Sequence, residues 1–175
     1  SNVDLTVDES FFYILKSKTF PVDVGVIAPA IISEQNNNDL NPKIINRPSR
    51  LQLYKNLLIF KFTYLFILYS FLSKLKAKSA TKKHISQCDI YAPHGSFIIF
   101  TKSYFANGAN INYPRFLFGE EVFVGEQCIK TGQKVRYDPD ILIHDNEHGS
   151  TSKEKNKFIS QEHVKSLAYL LEHYF

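Results

Sequence analysis

Two adjacent acids, Glu120 and Glu121, lie between Phe116, Leu117 and Phe118 on one side and Val122, Phe123 and Val124 on the other. A carboxylate at the edge of an apolar surface is poorly solvated, which raises its pKa and suits it to take a proton from a hydroxyl. The same pair at a helix start also serves simply to complement the helix dipole. A second group, from His144 to His148, places His144, Asp145, Glu147 and His148 at the end of a predicted strand, and all four have metal affinity. The H-x-x-x-H spacing would suit zinc on a helix, but Asn146 and Gly149 mark a loop. Asn2 and Asp4 stand just before the first predicted helix, where an acid acts either as an N-cap or as a ligand for a hard divalent cation that neutralises a diphosphate. His94, Gly95 and Ser96 precede an apolar run. Gly95 permits close backbone approach, and its neighbours can hydrogen-bond a polar ligand or form a turn into a strand.

The chain that positions these groups has 175 residues, of which 44% are hydrophobic, with 21 Lys and Arg against 17 Asp and Glu. This supports one domain with a sizeable core. A net charge of +4 is too small for a nucleic-acid binder. The basic residues are nevertheless uneven: Lys74 to Lys83 holds five lysines and no acid. Cys88 and Cys128 are too few for a disulfide framework or a zinc knuckle, and buried free thiols in a reducing, cytoplasmic compartment are the simplest expectation. Ser1 in place of Met suggests a piece of a longer chain.

The pattern predicts an α/β order. A helix from Val7 to Lys18 precedes Pro21 and a buried strand from Val22 to Ile32. Ser33 to Arg50, rich in Asn and Pro, reads as a loop or ordered insertion. Leu51 to Leu75 is nearly continuously apolar and reads as one helix, about 27 Å long between Asn56 and Ser73, just short of a membrane span. Asn56, Thr63 and Ser70 form a narrow polar stripe along it. A strand follows at Ser96 to Thr101, then a helix from about Glu120 to Thr131 stopped by Gly132. Short strands at Lys134 to Tyr137 and Ile141 to His144 come next. The segment after Ser152 is amphipathic, with Val164, Leu167, Ala168, Leu171, Tyr174 and Phe175 at helical spacing, and Thr151 with Glu154 offers a capping box.

In this order the pieces resemble the second half of a family 2 glycosyltransferase with the GT-A fold, of the kind that builds bacterial surface polysaccharides. The resemblance rests on Asn2 and Asp4, the strand Val24 to Ile31, His94 to Phe100, the aromatic approach Phe116 to Phe118 with the pair Glu120 and Glu121, Gly132, Tyr137 to Pro139, and His144. It covers roughly Asn2 to Ser152. It implies a partial GT-A fold, a mixed sheet flanked by helices whose nucleotide-binding first half precedes Asn2. It divides the chain into an acceptor-side part, 1–152, with an apolar helical insertion at 51–83, and a C-terminal helix, 153–175.

The resemblance further implies that Asn2 and Asp4 bind the donor's diphosphate through a divalent cation (Mg or Mn), with Asp4 and His144 at the metal. Glu121 would deprotonate the acceptor hydroxyl, Glu120 would support it, and His94, Gly95 and Ser96 would lie near the acceptor. The second acid is often Asp in that family, so Glu121 must start further from its target. The partners implied are a nucleotide-sugar donor and a glycan or lipid-linked acceptor. Without its first strands such a sheet would expose edges, so the chain alone is expected to bind nucleotide poorly and to gain from self-association as a homo-oligomer.

Groups from both sides of Leu51 to Leu75 meet in one such site, so this stretch cannot cross a membrane once. It is expected either to lie peripherally on the inner face of the cell membrane through 51–83 or to be a core or interface helix. Two further readings remain at this level: a noncatalytic membrane-associated interaction module, and a metal-dependent hydrolase using His144, His148 and Glu121.

Overall fold

A computed structural model describes residues 4–77, 85–146 and 156–175. Among the described residues, five strands and six helices follow in the order β1 (Leu5–Val7), α1 (Phe11–Ser17), β2 (Val24–Ser33), α2 (Arg50–Lys61), α3 (Thr63–Ala77), β3 (Cys88–Ile90), β4 (Ile99–Phe100), α4 (Lys102–Ala106), α5 (Glu120–Lys130), β5 (Lys134–Asp145) and α6 (Asn156–His173). The fold is α/β, with a mixed, curled five-stranded sheet. Two compact units divide the chain. A sheet unit comprises Ser1–Arg47, His84–Asn112 and Glu121–His148, and a helical unit comprises Pro48–Lys83, Tyr113–Glu120 and Gly149–Phe175.

In the sheet unit β2 and β5 are parallel neighbours, and β4 lies antiparallel on the far edge of β2. The other edge of β5 carries two short antiparallel partners, β3 opposite Val135 to Tyr137 and β1 opposite Ile143 to Asp145. The central strand β2 is buried almost throughout, as a β-branched run between two neighbours requires. Val24, Ile27 and Ile31 pack with Ile141, Ile143 and Phe11 of α1.

The helix expected from Val7 begins only at Phe11, because Leu5–Val7 pairs with β5. The two strands expected around Tyr137 to Pro139 are one strand with an irregularity. Pro29 opposes Asp138 and Ala30 opposes Leu142, so Pro139 to Ile141 are extra residues on β5. Asp138, fully buried, holds this bulge. Its carboxylate accepts from Lys18 Nζ at 2.8 Å, from Gln87 Nε2 at 2.9 Å and from the Asp140 N–H at 3.1 Å.

In the helical unit the expected single helix over Leu51 to Leu75 is two, α2 and α3, separated at Phe62, whose ψ of 107° is extended. The Ser160 hydroxyl of α6 donates to the Phe60 carbonyl, an acceptor a continuous helix would reserve for residue 64. The buried stripe of α6 is also rotated from expectation: Ala168 is exposed, while Leu167, Leu170 and Leu171 are buried. Ser166 turns inward to bond the Tyr113 hydroxyl at 2.8 Å, which brings residue 170 to the covered side. Leu53, Leu167 and Leu171, with Leu57, Phe60 and Phe175, form this unit's core. The capping box at Thr151 and Glu154 and the lysines from Lys78 to Lys83 lie outside the described residues. Among the described residues no helix is long and apolar enough to cross a membrane.

Candidate functional site

The Asn-rich stretch after β2 builds the scaffold of the site. Ser33 to Asn38 make a hairpin turn in which Asn37 takes a left-handed φ of 53°, and the chain returns along β2. Asp39 then fastens it. One carboxylate oxygen accepts from the Ile31 and Asn41 N–H groups at 2.9 and 2.8 Å, and the other from the Tyr137 hydroxyl at 2.5 Å. Burial, followed by this bond, raises the Tyr137 phenol's pKa and keeps it a donor. Buried Asn41 donates to the Pro29 carbonyl and accepts from the His94 N–H at 2.8 Å. His94 Nδ1 lies 2.8 Å from Ser96 Oγ, and Gly95 sits half-buried in the turn between them. Tyr137, Asp39, Asn41, His94 and Ser96 are therefore one chain of hydrogen bonds running from the sheet through half-buried His94 to buried Ser96.

Glu121 lies within electrostatic reach of His94 in this chain. Its residue is 8% exposed, and one carboxylate oxygen lies 2.5 Å from Lys43 Nζ. Burial alone would raise its pKa, but the charge and hydrogen bond of Lys43, with a lesser contribution from His94, hold it below the ordinary carboxylate value. This corrects the expectation of a raised carboxyl: Glu121 is ionised at neutral pH because a cation 78 positions away in sequence reaches it. Glu120 begins α5 and is half-buried.

A second pair fixes the same helix further along. Glu126 accepts from Arg47 Nε at 2.7 Å, from its terminal nitrogen at 3.0 Å and from the Tyr91 hydroxyl at 2.6 Å. The backbone of Tyr91 and Ala92 in turn bonds the Ile44 carbonyl. Gly125 lets α5 lie against this strip, since a Cβ there would come 2.6 Å from the Tyr91 carbonyl oxygen. Segment 41–47 thus grips α5 through two ion pairs, and Tyr91 adds a hydrogen bond and the close approach at Gly125.

Just before the acidic pair, the helical unit holds a strained turn. Phe118 and Gly119 have φ of 65° and 86°. For a bulky residue the left-handed region is costly and persists only where the surroundings over-determine it. Here the Phe118 ring stacks on His163 with centroids 3.7 Å apart, and the Phe118 carbonyl accepts from the Tyr113 hydroxyl at 3.0 Å.

Asp4 and His144 occupy a different place, the ladder between β1 and β5. Thr6 opposes His144, and the Asn146 N–H donates to the Asp4 carbonyl, so the register sets Asp4 diagonal to His144 on one face. His144 Nε2 also lies 3.6 Å from Asp8 Oδ1. The Asn146 amide, oriented to donate, reaches both Glu34 oxygens at 2.8 and 2.7 Å. Asn2, Glu147 and His148 lie outside the described residues. Among the described residues no group of three or more His, Cys, Asp or Glu side chains forms a metal centre.

Sequence reasoning singled out Glu121 and His94 to Ser96, of which His94 acts electrostatically on Glu121, but it missed Lys43, Asp39 and Asn41. The signal available was turn chemistry: Asp and Asn spaced to bond backbone two residues on, followed by Pro42. Chemically the cluster offers an ionised, largely dehydrated carboxylate with a cation and an imidazole beside it, suited to hold and accept a proton from a polar ligand. No family model, curated protein or solved structure matches the chain.

Proposed function

We propose that the chain carries the acceptor side of an inverting sugar transferase of GT-A type, which moves a sugar from a nucleotide-activated donor to a hydroxyl of a glycan or lipid-linked acceptor. The observation that carries this reading is the Glu121 carboxylate, buried yet kept ionised by Lys43 beside His94 and Ser96. In the reaction, Glu121 accepts the proton of the acceptor hydroxyl as that oxygen bonds to the anomeric carbon. The bond from that carbon to the diphosphate breaks, and the nucleoside diphosphate leaves. His94 and Ser96 hold the acceptor, and Lys43 keeps the carboxylate ready. By the resemblance, Asp4, with His144 at its flank, would hold a cation of the Mg or Mn class that takes its remaining ligands from the substrate's own phosphates. Such a cation would neutralise charge on the leaving diphosphate.

Two features support the reading. The acids of α5 follow a strained turn of the kind concentrated at functional sites. Glu121 also sits in the first turn of α5, the helix that leads directly into β5, the parallel neighbour of β2. The test is release of nucleoside diphosphate from a panel of nucleotide sugars, with Mg or Mn and a polyprenyl-linked glycan acceptor. Glu121→Gln should lower turnover by about 10²- to 10⁴-fold with unchanged circular dichroism. Equal turnover in the variant would refute the assignment of the base. A noncatalytic interaction module predicts no release from any donor.

A further inference from the structure

The apolar side of α3 points outward. Tyr64 is 88% exposed and Phe71 61%, and Leu65, Ile67, Leu68, Tyr69 and Leu72 are exposed as well. At 100° per residue these seven positions sweep an arc of roughly 200°. A helix that packs against one partner helix needs a much narrower stripe, and one apolar over so wide an arc belongs in a core or a lipid phase. Phe66 faces the Phe60 ring of α2 at 5.3 Å, and Tyr69, at one margin of the arc, meets the same ring edge-on at 6.4 Å.

The charge around α3 says which phase. From Pro48 to Lys83 the helical unit has eight lysines and arginines and no aspartate or glutamate. At the junction of α2 and α3, Lys61 lines a cleft of about 480 Å³ shared with α6, whose Lys157 and Lys165 lie on the same wall. A second copy of this chain, docking face to face through α3, would bring two such acid-free segments together. An anionic bilayer meets both the apolar arc and the cations.

We propose that α3 docks in the plane of an anionic lipid bilayer surface, its outward arc entering the acyl boundary while Lys61 and Lys157 at the cleft meet lipid phosphates. Fifteen residues make a helix of about 22 Å, too short for the roughly 30 Å hydrocarbon core, so α3 lies on the membrane and does not cross it. Tyr64 and Tyr69 suit the headgroup level, where amphipathic rings collect. This inference is independent of the reaction proposed above.

The test is flotation of the whole protein with phosphatidylglycerol-containing vesicles and with pure phosphatidylcholine vesicles. The chain has no tryptophan, so Phe71→Trp supplies a single fluorescent reporter. Binding to the anionic vesicles should shift its emission to the blue. Leu68→Glu with Phe71→Glu should abolish flotation while circular dichroism stays unchanged, since both positions are exposed in the free protein. Lys61→Gln with Lys157→Gln should weaken binding roughly 30-fold at low salt. Absence of flotation with anionic vesicles overturns the proposal. So does a blue-shifted Phe71→Trp emission without lipid that tracks dimer formation in sedimentation velocity, because a second copy would then be the occupant.

Discussion

Replacing Lys43 with methionine removes the cation from Glu121 and leaves the carboxylate buried. The Lys43 side chain is 42% exposed and that of Glu121 11%, so the pair stands between surface pairs, which contribute about 0–1 kcal/mol, and fully buried ones, whose breakage costs about 3–5 kcal/mol. A loss of about 2 kcal/mol at neutral pH follows, equivalent to a fall of about 4–8 °C in midpoint for a chain of this size. The pH dependence gives the stronger test. In the wild type the Glu121 carboxyl is depressed below the ordinary glutamate value, so the pair stabilises the fold fully above that ordinary value and the benefit fades as pH falls through the depressed one. In Lys43→Met burial acts without the cation and raises the same carboxyl, so the variant loses stability as pH rises toward 7. The two proteins should therefore unfold at similar urea concentrations only below the depressed Glu121 value and diverge as pH rises through it and on toward 7. Glu121→Gln in the Lys43→Met background should recover part of the loss, a non-additivity of the kind a double-mutant cycle measures. If the protein turns over substrate, the acid limb of its pH–rate profile should move upward in Lys43→Met. A pH-independent loss, or strictly additive single effects, would refute the coupling.

Gly119→Ala should cost about 2–4 kcal/mol, because its Cβ would come 2.2 Å from Ser166 Oγ and 2.6 Å from the Tyr113 hydroxyl at a φ of 86°. Gly108→Ala, at a φ of 87° with nothing within 4 Å of its Cβ, should cost only about 1 kcal/mol, and equal shifts of the two urea midpoints would count against the packing argument. Burial pushes the Cys128 thiol up to about 12, so in the native protein Ellman's reagent should label half-buried Cys88 first and reach Cys128 only on unfolding; equal labelling rates would contradict this.

The elements with long, consistent patterns were legible from residues alone. The buried run of β2, the helix of α5 with its stop before Gly132 at a φ of 67°, and the existence of α6 all stand. What escaped depends on partners distant in sequence. β1 and β3 are three residues each, too short to show alternation, and exist because β5 offers them an edge. The break at Phe62 has no Gly or Pro to announce it and follows from a hydroxyl on α6. At the candidate site the acids and the His94 turn stood out by type. The sign of the Glu121 shift did not, since it is set by Lys43 in a stretch that reads only as polar loop. Local apolar neighbours correctly indicate burial, but they do not reveal the counter-charge that reverses its effect.

The divided outer edge of β5 also bears on how the protein behaves in concentrated solution. A twelve-residue strand with one free side would be a template for edge-to-edge pairing between molecules. Here Val135 to Tyr137 and Ile143 to Asp145 are already taken by short strands, and the interval between them carries Pro139, which has no N–H to donate, and an acid clamped by Lys18. The bulge therefore interrupts the outer edge of the longest strand among the described residues, and Lys18, by clamping Asp138, holds that interruption in place.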